Sequence, residues 1–240
     1  MRASEVLAEE QKYHSGWVQT NTAKAAKYGA VDVFDYKPKN SSDYFYEEKH
    51  AKNLLVLHFT AGWLWGDLST LTTAHLHVSV AFVVGRSGKI YRLFNPEYWS
   101  NHLGRERDVV GGNRGNSKRS VAIEISNVGP LTPNGDKLRF AGSTYCDLSE
   151  AQYYTKLGTP FRGYKYFASF TDGQYTSLKA LIGEIAKQSG IKKSLRDPAE
   201  RYLPFKTGDA AQKYKGIASH VNFRKSGKWD IGPAFDWSKI

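Results

Sequence analysis

The clearest pattern in the chain is a set of short apolar runs that end at glycines or polar residues. The run "LLVLHFTAG", which begins at Leu54, is almost continuously apolar, and this predicts a strand buried on both faces. Similar runs at 78–84 and 89–94 are joined by "GRSG", which predicts a hairpin. A fourth run, "SVAIEISN" at 120–127, predicts another strand, with Glu124 embedded among its apolar residues.

Further along, the pattern changes to the helical period. Aliphatic residues recur at helical spacing within 172–189, which predicts a helix with Asp172 as N-cap and Gly190 at its C-terminal end. The segments 132–170 and 191–216 follow neither period, and we expect loops with short elements there. Buried strands combined with an amphipathic helix predict an α/β fold, a three-layer domain with a central mixed β-sheet flanked by helices.

The first fifty residues are more polar than the rest and begin with a helical stretch around Val6. No candidate chemistry lies in them. We therefore interpret residues 1–50 as an N-terminal extension that packs on a main domain formed by residues 51–240.

Composition restricts the classes of partner and site. Lys and Arg outnumber Asp and Glu by 34 to 23, a net charge of +11 that favours an anionic partner. Cys146 is the single cysteine, which excludes an internal disulfide and structural zinc sites with two or more thiolates. The start lacks a signal-like apolar core and no apolar run approaches the ~20 residues of a membrane span, so we expect cytoplasmic synthesis without a signal peptide and no stable membrane insertion.

Two histidines and one aspartate are candidate metal ligands. His58 ends the first buried strand, and His220 and Asp230 lie in the polar C-terminal stretch. A lone histidine at such a position is more often a hydrogen-bonded structural residue. Two imidazoles and one carboxylate, however, are a common ligand set for catalytic zinc, which keeps a fourth position open. Spacing alone leaves both interpretations open.

Three further polar residues have a structural and a functional interpretation. Glu124 on a buried strand needs a partner or a role, because an unpaired buried carboxylate is costly, so it is either a salt-bridge partner or a general base. Lys228 is either a solvated charge or an oxyanion stabiliser. His102, in "WSNHLG", is either a loop residue or a hydrogen-bonding partner of a substrate.

Five stretches occur in a recognisable order: "VLHFTAG", "VSVAFVVGRSGKIYRLF", "WSNHLG", "SVAIEISNVGPL" and "SHVNFRKSGKWDIGPAFDW". In this order they resemble the type 2 N-acetylmuramoyl-L-alanine amidases, a family of bacterial and bacteriophage enzymes that share their fold with peptidoglycan recognition proteins. The resemblance covers residues 53–131 and 172–237. It implies an amidase or peptidoglycan recognition protein-like fold.

The resemblance also implies a catalytic site. It makes His58, His220 and Asp230 the ligands of a Zn²⁺ cofactor. It further makes Glu124 the group that activates the attacking water and Lys228 the residue that assists the tetrahedral intermediate.

The same resemblance implies that His102 and Asn127 line the substrate groove. One departure concerns the second strand, where many relatives carry Tyr or His around the positions of Val80 and Ala81. We expect Glu124 to take the role of that side chain, so that activity survives.

The implied function is zinc-dependent hydrolysis of the amide between N-acetylmuramic acid and L-alanine in peptidoglycan. We expect a monomeric, endolysin-like, bacteriolytic and antibacterial enzyme of phage origin that acts on the cell wall after release. A cytosolic amidase that recycles muropeptides and a non-catalytic peptidoglycan-binding protein of the same fold are the alternatives. Nucleic acid ranks last as a partner, because charge alone supports it and no binding motif is present.

Overall fold

The computed structural model describes residues 1–38 and 43–240. The strands in these ranges are β1 (Ala25–Tyr28), β2 (Val31–Asp35), β3 (Leu54–Phe59), β4 (Phe82–Val84), β5 (Ile90–Arg92), β6 (Ser120–Ile125), β7 (Pro130–Asn134), β8 (Lys137–Phe140), β9 (Ser143–Asp147), β10 (Tyr154–Phe161), β11 (Tyr164–Ala168) and β12 (Gly216–Ser219). The α-helices are α1 (Val6–Asn21), α2 (Leu64–Leu71), α3 (Asn113–Lys118), α4 (Asp172–Ser189) and α5 (Gly208–Lys213). Short 3₁₀ turns lie at Glu106–Asp108, Ala151–Tyr153, His220–Asn222 and Trp237–Lys239.

The central sheet contains seven strands in the order β1-β2-β5-β4-β6-β3-β12. Strands β4, β6, β3 and β12 are parallel neighbours, and β2 pairs with β5 in parallel. The β1–β2 and β4–β5 pairs are antiparallel. The sheet is therefore mixed, as predicted, and the hairpin through "GRSG" is confirmed.

Helices cover both faces of this sheet. Because successive side chains of a strand point to opposite faces, Leu55 and Leu57 pack in the apolar cluster that contains the buried face of α4. Leu54 and Val56 pack on the other face, in the cluster that contains Ala211 of α5. This is the predicted three-layer arrangement, and β3 is buried along its whole length.

Helix α4 has the predicted bounds but a different N-cap. Thr171 has an extended backbone, so its hydroxyl accepts from the backbone N–H of Gln174, whose side chain accepts from the N–H of Thr171 in return. Asp172, the predicted cap, is instead the first helical residue. Gly190 ends the helix as predicted, with a left-handed φ of 74° that favours glycine.

The first fifty residues do more than pack on the surface. Helix α1 is followed by β1 and β2, and β2 pairs with β5, so this segment adds two strands to the central sheet. The buried Glu10 of α1 accepts from the backbone N–H of Ser87. The polar composition of this segment gave no strand pattern, so β1 and β2 were not predicted; both strands are short and lie toward one edge of the sheet. The boundary at residue 50 stays a prediction.

A second sheet corrects the expectation for residues 132–170. Five antiparallel strands lie in the order β10-β11-β7-β8-β9, where loops with short elements were predicted. Only Leu157 is buried among the eight residues of β10, so no apolar alternation marks the strand. We refer to β7–β11 as the inserted sheet. Segment 191–216 does contain the short elements predicted, chiefly α5.

The strand predicted at 78–84 is shorter, since β4 begins only at Phe82. Val78 instead forms an isolated bridge with Asn101. None of the helices in the described ranges combines the length and the apolarity that a membrane span requires.

Candidate metal centre

Parallel pairing of β3 with β6 places His58 beside Glu124. The two residues are direct register partners, so their side chains lie on the same face of the sheet. Both come at the carboxyl ends of their strands, the edge at which α/β sheets generally bind ligands.

The third and fourth side chains come from the C-terminal segment. Strand β12 pairs in parallel with β3, with Ser219 opposite Leu57, so His220 follows at the same edge. Asp230 returns to this edge because its carbonyl accepts from the backbone N–H of Val221, at 2.8 Å. We refer to residues 220–230, which run from His220 to Asp230, as the ligand loop.

His58, His220 and Asp230 converge on one point. Nδ1 of His58 lies 3.0 Å from Nδ1 of His220 and 3.1 Å from Oδ2 of Asp230, and the His220–Asp230 distance is 2.9 Å. Their relative exposures are 1%, 2% and 5%. In the ranges 1–38 and 43–240, this is the one group of three or more His, Cys, Asp or Glu side chains arranged to hold a metal ion.

Hydrogen bonds behind His220 determine its tautomer. Its Nε2 lies 2.9 Å from the carbonyl oxygen of Leu103. Because a carbonyl only accepts, this nitrogen carries the proton and donates, which leaves a lone pair on Nδ1. That lone pair points toward His58 and Asp230.

A longer chain of hydrogen bonds does the same for His58. The hydroxyl of Ser120 donates to the carbonyl of Ser117 at 3.2 Å, so its oxygen accepts from Nε2 of His102 at 2.7 Å. Nδ1 of His102 then accepts from Nε2 of His58, at 3.0 Å. His58 therefore also presents an unprotonated Nδ1 to the cluster.

The electrostatics favour the neutral imidazole. Burial, reinforced by the charge of His220, lowers the pKa of His58 to about 4, although Asp230 acts in the opposite direction. Burial opposes ionisation of Asp230, but the charge and hydrogen bonds of His220, followed by those of His58, bring its pKa below the usual value. Nδ1 of His58, Nδ1 of His220 and one carboxylate oxygen of Asp230 therefore face one another. This donor set fits a cation, and zinc is bound by these ligand types.

Glu124 is an unpaired acid beside this cluster. Among the described residues, its Oε2 is buried without a hydrogen-bond partner. Burial raises its pKa well above the usual value, and the charges of Asp230 and Asp67 act in the same direction, while Lys228 opposes them. The salt-bridge interpretation of Glu124 thus has no partner in the described residues, and a carboxyl of this kind is suited to proton transfer.

A cleft of about 170 Å³ opens over the cluster. The half-exposed Lys228 lies in its lining, as do His102, Val80 and Trp229. His102 therefore lines the cleft, but its two ring nitrogens are engaged with His58 and Ser120, and its contact with a substrate stays a prediction. Its main contact is with the candidate ligand rather than with open space.

Asn127, the other predicted groove residue, is not brought into this cluster. It is buried, its amide N–H₂ donates to the carbonyls of Ala168 and Ser169, and its oxygen accepts from the N–H of Gly129. These contacts hold the turn after β6 and leave the side chain no free group for a substrate. That Asn127 lines the substrate groove stays a prediction.

Sequence reasoning missed the groups that orient the histidines. Ser120 was visible only as a polar residue at the start of a buried strand. The Leu103 carbonyl carries no side-chain signal at all, and Trp229 was not distinguished from other aromatic residues of the C-terminal stretch.

Comparison with known proteins agrees with this geometry. The family model described as N-acetylmuramoyl-L-alanine amidase matches residues 48–233. The structure of AmiD from E. coli is similar, with a TM-score of 0.50 and 21% sequence identity. The match covers 90% of the present chain and 63% of the AmiD chain. An AmpD derivative is similar with a TM-score of 0.50 and 17% identity, covering 90% of this chain and 96% of that one. A comparison with curated proteins finds no match.

At these identities the two structures support the fold alone, a mixed α/β arrangement with a central sheet and flanking helices. The family model carries the assignment, since its match extends over most of the chain and includes His58, Glu124, His220 and Asp230. The chain belongs to the N-acetylmuramoyl-L-alanine amidase family.

Proposed function

We propose that this chain is a zinc-dependent hydrolase that cleaves the amide between N-acetylmuramic acid and L-alanine in peptidoglycan. The observation that carries the proposal is the convergence of Nδ1 of His58, Nδ1 of His220 and Oδ2 of Asp230 within about 3 Å of one another. A buried, unpaired carboxyl on the neighbouring strand completes the set of groups that such a hydrolysis requires.

The substrate class follows from the family and from one similar structure. The AmiD structure is a complex with the substrate anhydro-N-acetylmuramic acid-L-Ala-D-γ-Glu-L-Lys. We propose a substrate of the same class for this chain, a muropeptide or the corresponding unit of the wall. The excess of Lys and Arg over Asp and Glu, 34 against 23, suits a carboxylate-bearing polymer.

His58, His220 and Asp230 would hold the zinc ion. Zinc supplies Lewis-acid polarisation of the amide carbonyl and lowers the pKa of water from 15.7 to about 7. The contacts of His58 with His102 and of His220 with Leu103 keep both lone pairs directed at the ion.

Glu124 would move the proton. Its carboxylate accepts a proton from the attacking water as the oxygen adds to the carbonyl carbon. The same carboxyl then donates that proton to the alanine nitrogen as the C–N bond breaks, which gives a muramic acid carboxyl group and a peptide amine; the amine takes up the proton of the new carboxyl, so the products are a carboxylate and an ammonium. Burial and the neighbouring charges of Asp230 and Asp67 raise the pKa of Glu124 above its usual value, so its carboxyl holds a proton more readily than an exposed carboxylate does.

Lys228 would stabilise the negative charge that develops on the carbonyl oxygen. It lines the cleft two residues before Asp230 and is half-exposed, so its ammonium can approach a substrate there. Val80 lies in the same lining with an apolar side chain that cannot carry a proton, so the proposal gives the proton transfer to Glu124.

The test compares wild type with Glu124→Gln and Asp230→Asn, using zinc analysis and release of stem peptide from a muropeptide. Glu124→Gln should keep zinc and lose about 10²–10⁴-fold in kcat, because one proton-transfer group is removed. Asp230→Asn should lose zinc and activity together. The matched control, Glu9→Gln on the exposed side of α1, should change neither. Failure of the zinc-loaded wild type to release stem peptide refutes the proposed activity.

We further propose that the chain acts on the intact bacterial wall and causes lysis, in the manner of an endolysin. Turnover on purified sacculi and on soluble muropeptides decides between this role and recycling of fragments. A strong preference for soluble fragments would favour the recycling amidase. Binding to sacculi without release of peptide would favour the non-catalytic alternative.

All of the proposed ligands and catalytic residues come from one chain, which supports action as a monomer. Size-exclusion chromatography with light scattering measures this directly, and activity confined to a dimer fraction would contradict it.

A further inference from the structure

The inserted sheet reaches the ligand loop through one tight hairpin. Strands β10 and β11 are joined by Arg162 and Gly163, with φ of 48° and 90°, and Phe161 pairs with Tyr164 across the turn. Positive φ at both central residues is typical of a two-residue hairpin turn, and it projects the Arg162 side chain from the tip.

The Arg162 guanidinium is bonded to the ligand loop at several points. One nitrogen donates to the carbonyl of Lys228, and the other donates to the carbonyls of Arg224, at 2.8 Å, and Val221, at 3.4 Å. These acceptors lie on both sides of the loop apex. The planar fork of arginine suits several fixed acceptors at once, which a lysine ammonium does not reproduce.

The loop has little other support for its backbone. Within the described chain, residues 224–229 form no backbone–backbone hydrogen bond and belong to no helix or strand. The Arg162 contacts therefore replace the backbone bonds that hold regular elements. Because Lys228 and Asp230 lie at the end of this stretch, their placement depends on it.

Aromatic packing holds the same two segments together. The indole N–H of Trp229 donates to the Arg162 carbonyl at 3.3 Å, and the Tyr164 ring lies edge-on to Trp229 at 5.6 Å. The Phe161 ring lies so close to Gly232 that a Cβ added there would approach its Cδ1 to 2.8 Å. The hairpin tip thus contacts the chain immediately before and after Asp230.

We propose that Arg162 is a positioning residue, which holds the ligand loop so that Asp230 faces His58 and His220 and Lys228 faces the cleft. The proposal rests on the proposed zinc amidase function. It assigns a role in the site to the inserted sheet, which the family model spans but which lies mostly between the two sequence stretches, 53–131 and 172–237, that carry the resemblance. Arg162 acts through the loop and does not itself touch the metal or the substrate.

The experiment measures zinc affinity by chelator competition, and kcat and KM on a soluble muropeptide, for Arg162→Ala and Arg162→Lys. The control is Arg139→Ala, because the Arg139 guanidinium donates to the Gly142 carbonyl within its own hairpin. We expect Arg162→Ala to weaken zinc binding by about 10–100-fold, the usual loss for an outer-shell partner of a metal ligand. At saturating zinc its kcat should fall more than its KM rises, since Lys228 is displaced. Arg162→Lys should recover part of both losses, and Arg139→Ala should match wild type.

Thermal unfolding of the zinc-free proteins separates positioning from general stability. The proposal is supported if Arg162→Ala binds zinc more weakly at 25 °C while its zinc-free melting temperature matches that of Arg139→Ala. Zinc affinity and kcat equal to wild type in Arg162→Ala overturn it. If Arg162→Ala does not fold, Arg162→Lys decides, and wild-type zinc affinity there also overturns the proposal. Absence of zinc binding in the wild type refutes the proposed function instead.

Discussion

Replacing His102 by leucine removes the group that determines the tautomer of His58. Nε2 of His58 is buried and donates to Nδ1 of His102. The other ring nitrogen of His102, Nε2, donates to the hydroxyl of Ser120. Leucine fills a similar volume but accepts no hydrogen bond. The His58 N–H is then left unpaired, or the proton moves to Nδ1 and occupies the lone pair assigned to zinc.

The magnitude follows from that choice. A buried donor without a partner costs about 1–3 kcal/mol. A tenfold change in an equilibrium constant corresponds to about 1.4 kcal/mol, so zinc affinity should fall by roughly 5- to 150-fold. This range agrees with the loss of about 10–100-fold that is typical for outer-shell partners of metal-binding histidines.

Zinc affinity is measured by competition with a chromophoric chelator, for His102→Leu, His102→Gln and the control His50→Leu. Glutamine offers an oxygen to His58 and an N–H to Ser120, so it should recover much of the loss. His50 is half-buried and lies outside the cluster, so its replacement should leave zinc affinity unchanged. Zinc binding by His102→Leu as tight as by wild type refutes the tautomer argument.

Three further predictions concern pH, metal removal and the ligand loop. Burial raises the pKa of Asp67 to about 7, so the folded state retains a proton that the unfolded state releases above about pH 4, and stability falls as pH rises between these values. In urea unfolding, Asp67→Asn should therefore have the same free energy of unfolding as wild type near pH 4 and a free energy about 1–4 kcal/mol higher at pH 8. A variant less stable than wild type at pH 8 would contradict this. Chelation should lower the melting temperature and added zinc restore it, since free zinc at 1,000 times Kd stabilises by about 4 kcal/mol, whereas Asp230→Asn should show no zinc-dependent shift. Gly232→Ala should weaken zinc binding, because its Cβ meets the Phe161 ring at 2.8 Å, while the control Gly183→Ala in α4 has open space and should leave zinc binding unchanged.

Much of the central fold could be predicted from local patterns. The apolar runs of β3 and β6 and the helical period of α4 reflect burial, and burial selects residue types position by position. The same reasoning failed for the inserted sheet, because strands such as β10 expose most of their side chains and carry no alternation. It also failed for β1 and β2, which are short strands within a polar segment.

For the site, the sequence supplied the chemistry of the groups and the resemblance supplied their roles. His58, Glu124, His220 and Asp230 are polar residues at positions where a structural interpretation was also available, and for each histidine taken alone it was the more frequent one. Asn127 was assigned to the site on similar grounds, but its side chain hydrogen-bonds backbone groups of Ala168 and Gly129 around the turn after β6.

By itself the sequence determined four strands of the central sheet (β3, β4, β5 and β6), the principal helix and the family, because these depend on the order and spacing of side chains along the chain. Only the tertiary structure decided that two histidines 162 residues apart meet with their lone pairs together, that Glu124 lacks a partner among the described residues, and that Arg162 bonds the ligand loop. The physical reason is that convergence depends on pairing between distant strands and on hydrogen bonds to backbone carbonyls. Neither leaves a periodic trace in the residues that take part.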